Sequence, residues 1–366
     1  MENHKIWVSL IFFFVVAGGL ILDLGLFNKR SDQAGLTLKQ SATRTALWFA
    51  LGLVATALIG HYHGYLHGVE TSVSTPAGAE QSFKDLQAYS QAYHVSLDLN
   101  EGDPEGNLAK LSRYASTSFF TGYLVEYALS MDNLFVMLLI FQSFKVRPHE
   151  QKEILVWGVI GAVILRGVFV FLGAALVQKF HVVLYGFGLL LLYSGFKLFF
   201  EKDDSTADPS QHKLLVALRK VLPISDRTPE GVLFRFREEG KTWFTPLFLV
   251  LVLIELTDVV FAVDSIPAIF GITTDPYLVF FSNILAVMGL RSLFFLLGHS
   301  LDKFYALQYG LSMILVFIGA KMLLESYFHA IGFTYIHNLA VIVGILLTSI
   351  AWSLTFPRVK DEAANV

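Results

Sequence analysis

The sequence contains no cysteine. That absence excludes disulfides, thiolate metal sites and thiol chemistry, and any soft-metal chemistry would need other ligands. Charge is scarce as well: Asp, Glu, Lys and Arg make up 16% of the 366 residues, against 54% hydrophobic, and the mean hydropathy is +0.58. A single soluble core could not hide so much apolar surface, so a lipid bilayer is the simpler solvent. GxxxxGK[ST] and GxSxG patterns are missing, which leaves ATP use and elbow-serine hydrolysis without support. No enzyme activity, organic cofactor or nucleic-acid partner is expected, and nothing in the sequence sets an oligomeric state.

What is present in quantity is apolar runs. A helix of about 20 such residues matches the ~30 Å hydrocarbon thickness, and nine windows qualify, near 6–27, 44–61, 117–144, 154–177, 181–200, 244–270, 278–298, 308–328 and 336–356. The first follows Lys5 and carries Asp23; its length favours an uncleaved helix over a signal peptide. The net charge of −3 says little about orientation, which follows the placement of Lys and Arg. Most of the 27 fall in loop 28–43 with Arg44, loop 145–153, loop 201–243 and the C-terminal tail. Arg166, Lys197, Arg291 and Lys321 lie within windows. This places the N-terminus outside and the C-terminus inside, as an odd number of spans requires.

The expected fold is therefore an all-α polytopic membrane protein. Two N-terminal spans (1–61) precede a long external loop (62–116), a three-helix unit (117–200), a cytoplasmic loop (201–243), a second three-helix unit (244–328) and a final span with its tail (329–366). Within the cytoplasmic loop, beside Asp203, Asp204, Asp226 and basic residues including Arg219, Lys220, Arg235 and Arg237, the segment LLVALRKVL suits a short interfacial helix. The two units repeat. Leu165-Arg166 through Gly173, then Tyr185-Gly186, Gly195, Lys197 and Glu201, matches Leu290-Arg291 through Gly298, then Tyr309-Gly310, Gly319, Lys321 and Glu325. Upstream, Glu126, Asp132 and Asn133 match Asp258, Asp264 and Ser265 at the same spacing. The charge map inverts one unit relative to the other, an arrangement characteristic of transporters with a midplane site.

A carboxylate at the bilayer centre costs on the order of 3 kcal/mol, so such groups must face partners, water or ions. The third and sixth spans hold five: Glu126, Asp132, Glu255, Asp258 and Asp264. Glu255 and Asp258 share a helical face, whereas Asp264 is offset from Asp258 by about 120° on an ideal helix. Pro267 offers a local break that would correct the offset and free the Val263 carbonyl. Oxygen ligands beside free carbonyls suit a hard divalent cation, and convergence of Asp132, Asn133, Asp264 and Ser265 from both halves is the sharpest form of that expectation. The structural alternative is that the acids pair with Arg166 and Arg291, although two arginines leave at least three acids uncompensated. Proton binding is a further alternative, since burial favours neutral carboxyls, and protons would compete with metal for the same oxygens.

Other polar residues carry weaker signals. Asp23 suits a buried polar partner, with an accessory ion role as its alternative. His61, His63 and His67 invite a metal-capture reading, His63 and His67 being four apart, against a plain reading as interfacial polar residues. Lys197 with Glu201, and Lys321 with Glu325, suit i,i+4 pairs near helix ends. Gly158, Gly161, Gly167, Gly173, Gly186, Gly188 and Gly195 supply small surfaces for close helix packing.

At TGYLVEYALSMDNLFV (121–136) and ELTDVVFAVDSIPAIF (255–270) the sequence resembles the TerC family of membrane proteins, and within it the Alx branch. LDLGL around Asp23, the two LRxxFxxLG blocks and ITTDP (272–276) extend the likeness over nearly the whole chain. The resemblance implies a nine-span bacterial inner-membrane protein with a three-plus-three inverted core, associated with manganese export and homeostasis and with tellurite resistance. It implies ion-site roles for Glu126, Asp132, Asp258 and Asp264, with Glu255 nearby. Hard oxygen ligands fit Mn²⁺, Ca²⁺ and Mg²⁺ alike, and the choice of Mn²⁺ rests on the resemblance. Three other functions remain in view. A membrane metal-binding or assembly module without transport would bind metal but show no flux. An intramembrane enzyme lacks a recognisable nucleophile, and a tellurium oxyanion carrier is disfavoured because a carboxylate-lined site repels anions.

Overall fold

The computed structural model describes residues 38–200, 240–297 and 305–356, together with Gly18 and short pieces between 223 and 238. The first apolar window with Asp23, the LLVALRKVL segment and the C-terminal tail lie outside the described residues, as does the side chain of Arg291. Among the described residues ten helices and one hairpin follow in order: α1 (Leu38–His67), α2 (Pro76–Ala92), α3 (Pro104–Ser143), α4 (Pro148–Lys179), α5 (Val182–Phe200), β1 (Arg235–Glu238), β2 (Lys241–Phe244), α6 (Pro246–Phe270), α7 (Pro276–Leu297), α8 (Leu307–Leu323), α9 (Glu325–Ala330) and α10 (Tyr335–Thr355). Seven of those described, α1, α3 to α7 and α10, are long and apolar enough to cross a membrane, and α8 is a shorter apolar helix. The chain is a multi-pass, helical membrane protein.

Local chemistry sets the helix starts. Proline opens α2, α3, α4, α6 and α7, where its missing N–H is not needed and its fixed φ suits the first turn. Thr75 Oγ1 accepts from Gly78 N at 3.1 Å and Asp103 Oδ1 from Gly106 N at 2.9 Å, capping α2 and α3. The β1–β2 hairpin turns at Gly240, whose φ of +76° favours a residue without Cβ. It leads into Thr245, the cap of α6.

The stretch 62–116, expected as a loop, is substantially helical. It holds α2 and the first turns of α3, with Leu86, Tyr89, Leu111 and Tyr114 buried against α1 and α7. Its apolar residues are too few for a span but enough for a docked cap, which a window of spanning length does not register. The break expected at Pro267 is not opened: α6 runs uninterrupted to Phe270, with Pro267 in its last turn and the Gly271 N–H donating to the Pro267 carbonyl at 3.0 Å. The proline lies so close to the end that helix termination absorbs the lost hydrogen bond.

The helices bury one apolar surface and present another outward. Leu47, Ile164, Leu189, Val260 and Leu347 all stand exposed, as expected of helices whose outer solvent is lipid. Inside, α3 packs on α6, α4 on α7 and α5 on α8. The α5–α8 crossing is close. A Cβ added at Gly319 would lie 2.8 Å from the Gly188 carbonyl oxygen and 3.0 Å from Leu192 N, and Ser312 Oγ donates to the Gly195 carbonyl at 2.6 Å. Small residues let the backbones approach where no hydrophobic effect drives helices together. Gly319→Leu is expected to lower stability by about 2 kcal/mol or more through overpacking, measurable as a lower Tm of the protein in detergent. A variant that melts with the wild type would show that the crossing tolerates separation.

Candidate functional site

Two of the expected site acids, one from each unit, gather around one guanidinium. Arg166, fully buried on α4, donates through Nη1 to Glu126 Oε1 on α3 and, at 2.7 Å, to Asn283 Oδ1 on α7. Its Nη2 donates to Asp258 Oδ1 on α6 at 2.9 Å. Ser130 Oγ donates to Glu126 Oε1 at 3.1 Å, and Asn133 Nδ2 reaches Asp258 Oδ1 at 3.4 Å. Glu126 and Asp258 are the matched acids of the two repeated motifs, and both are buried. Arg166 is thus the fully desolvated counter-cation of a carboxylate from each half, the pairing that the structural alternative anticipated.

The set is not saturated. Glu126 Oε2, Asp258 Oδ2, Asn133 Oδ1, Glu255 Oε2 and Ser265 Oγ are buried oxygens without a hydrogen-bond partner, and Arg166 Nε and Asn283 Nδ2 are buried nitrogens without one. Buried polar atoms are rarely left unpaired, and an excess of acceptors over donors is what a proton or cation would satisfy. Glu255, half-buried one turn before Asp258, lies over α4 where Gly161 makes room: a Cβ there would collide with the Glu255 carboxylate. The Gly161 position, read from sequence as generic close packing, thus clears space for a carboxylate.

Asp264 goes elsewhere. Its Oδ1 accepts from Ser194 Oγ on α5 at 2.7 Å, and its bonding is to α5 rather than across to α3. Because α6 stays continuous, the ~120° offset between Asp258 and Asp264 stands, and the two acids face different neighbours. The matched pair joined through Arg166 is Glu126 with Asp258. Asp132 is half-buried on α3, next to Asn133.

A second polar cluster lies at the end of the bundle that carries α2. Asp275 caps α7, its Oδ1 accepting from Tyr277 N at 2.9 Å. Asp275 Oδ2 receives the Tyr89 hydroxyl at 2.8 Å and lies 3.0 Å from His63 Nε2 and 2.9 Å from His67 Nε2. Burial alone would raise the Asp275 pKa, but His63 and His67 beside the carboxylate hold it well below the usual range. Burial and the Asp275 charge push the Tyr93 hydroxyl up to about 12. Sequence reasoning picked out His63 and His67 but not Asp275 or Asn283. The signal for Asn283 was its polar amide in an apolar run, and ITTDP was noted only as a motif.

Comparison with known proteins places these residues in a wider group. The family model described as integral membrane protein TerC family matches residues 111–361. A candidate membrane-bound redox modulator named Alx from Salmonella typhi is 36% identical over 348 residues, covering 95% of this chain and 94% of its own length. Its namesake from Escherichia coli K12 is 37% identical over 333 residues, covering 91% of this chain and 89% of its own. An uncharacterised membrane protein from Myxococcus xanthus is 34% identical over 353 residues, covering 96% and 93%. No solved structure matches.

Proposed function

Since the chain belongs to the TerC family of integral membrane proteins, we propose that it exports a divalent cation, Mn²⁺ first among them, against an inward flow of protons. The observation that carries this reading is the pair of buried carboxylates, Glu126 and Asp258, drawn from matched helices and each retaining an unpaired oxygen. Asn133 Oδ1 and Glu255 Oε2 add acceptors close by. Arg166 serves as the resident counter-charge while no metal is bound, and an arriving divalent cation takes over that role. Hard oxygen donors accept Mn²⁺, Mg²⁺ and Ca²⁺, and protonation of the same oxygens releases the ion.

Nine spans, with the N-terminus outside, the C-terminus inside and the core an inverted repeat, complete the proposal. The packing of α3 on α6, α4 on α7 and α5 on α8 is what a pseudo-two-fold axis between the units would produce. The bacterial inner membrane is the proposed location. The relatives described as redox modulators suggest how such a protein bears on redox state. This chain has no thiol, so its influence would run through the redox-active metal it moves.

The test is flux in proteoliposomes with Mn²⁺, Ca²⁺, Mg²⁺ and Fe²⁺, with and without a pH gradient. Uphill Mn²⁺ movement driven by the gradient is expected from the wild type, and almost none from a chain carrying Asp258→Asn, in which Arg166 keeps Glu126 as its partner. Full flux in that variant would remove Asp258 from the transport path. The competing module without transport has one observation in its favour, since Arg166 already neutralises part of the acidic charge. That reading requires metal binding without flux in the same vesicles.

A further inference from the structure

Asp275 is fully buried, and among the described residues its ion-pair partners are two imidazoles, His63 and His67. A buried carboxylate normally takes Lys or Arg, or a metal ion, as its counter-charge. His63 Nε2, His67 Nε2 and a carboxylate oxygen of Asp275 all lie within 4.8 Å of one another, and among the described residues no other set of three such groups does so. His63 and His67 come from successive turns of α1, so the i,i+4 spacing brings their rings together, tilted by 57° with centroids 4.7 Å apart. Asp275 approaches from the connection between α6 and α7.

We propose that His63, His67 and Asp275 form a resident site for a borderline divalent cation of the zinc class, pinning the end of α1 to the head of α7. A tetrahedral site with bonds of about 2.0 to 2.1 Å spaces its ligand atoms roughly 3.3 Å apart. The separations of 2.9 and 3.0 Å to Asp275 Oδ2 need open by only a few tenths of an ångström to reach that spacing. Two imidazoles and one carboxylate form a donor set that zinc and cobalt favour over manganese, magnesium or calcium, unlike the all-oxygen set around Glu126 and Asp258. Metal binding needs Nε2 bare on both rings. His63 Nδ1 has no hydrogen-bond partner, so nothing there fixes the tautomer against it.

The surroundings suit a ligand shell. Tyr89 OH lies within hydrogen-bond reach of both His63 Nε2 and Asp275 Oδ2, as a fourth ligand or a supporting donor. Tyr89, Tyr93 and Tyr277 wall the His67 ring, with centroids 4.9 to 5.4 Å away. A cavity of about 170 Å³ lined by Tyr93, Thr273 and Thr274 among others lies next to the cluster. Structural zinc sites join elements distant in sequence and add their binding free energy to folding, and here the ligands are more than 200 positions apart.

The experiment uses the full chain in detergent, stripped with a chelator. Titration with Co²⁺ is expected to give one equivalent bound with the strong visible absorption of low-coordinate cobalt, abolished by Zn²⁺. Excess Zn²⁺ should raise the Tm by about 3 °C or more at a hundredfold excess over Kd. His63→Gln with His67→Gln should lose both signals, and Asp258→Asn should keep both, which separates this site from the proposed transport site. If the histidine variant does not accumulate, Asp275→Asn, which keeps the cap on α7, must show the same loss. The proposal is overturned if the stripped wild type gives neither signal, or if the histidine or Asp275 variant retains them.

Discussion

Arg166→Leu is expected to destabilise the protein by about 3–5 kcal/mol, the cost of leaving buried charge uncompensated. In the wild type this one guanidinium satisfies Glu126, Asp258 and Asn283 from three different helices, with no solvent to take its place. The effect should appear as a fall in Tm and a loss of monodisperse protein in detergent. Adding Glu126→Gln and Asp258→Asn to the same chain should recover most of the loss, because no stranded anion remains. Arg166→Lys should recover less, since a single ammonium cannot reproduce the planar fork. If Arg166→Leu melts with the wild type, the carboxylates are already neutral and the ion pairs carry no structural weight.

Asp258→Asn is expected to reduce Mn²⁺ flux by about 100-fold or more while leaving the fold intact. Groups that merely orient metal ligands are worth 10- to 100-fold in affinity or activity, and a ligating carboxylate should be worth at least as much. The fold should survive because Arg166 keeps Glu126 and Asn283, and an asparagine can still accept from Nη2. Flux in vesicles, with membrane insertion checked by proteolysis, separates the two effects. Flux within a few-fold of wild type would exclude Asp258 as a ligand of the transported ion.

The contrast between Asp258 and Asp275 shows which features could be read from sequence. Apolar windows fixed most helix bounds within a few residues, because the bilayer imposes a length and proline marks the first turn of five helices. The duplicated Glu126 and Asp258 motifs were visible because repetition lifts a signal above chance. Their partner was legible too, since a mid-span arginine must find an anion. Which matched acids meet was not legible. That depended on whether α6 broke at Pro267, a balance between helix termination and tertiary packing that local sequence does not decide. Asp275 was hidden for another reason. It sits in a short connection where aspartate is ordinary as a helix cap, and its second role arises only when α1 arrives from far away in the chain. The same holds for α2, whose few apolar residues become a core only against α1 and α7.

The 40 residues of α3 make a rod about 60 Å long, twice the hydrocarbon thickness. Glu126 lies near its middle, and its N-terminal half carries Tyr114, bonded to Thr273 Oγ1 at 2.7 Å, two residues from Asp275. Such a rod acts as a lever arm. A 5° tilt about the level of Glu126 would sweep its first turn through about 3 Å, more than the slack in a hydrogen bond. Rearrangement at the buried carboxylates would therefore be amplified at the α2 cap, and a probe attached near residue 104 would act as the pointer of a gauge driven from the membrane interior.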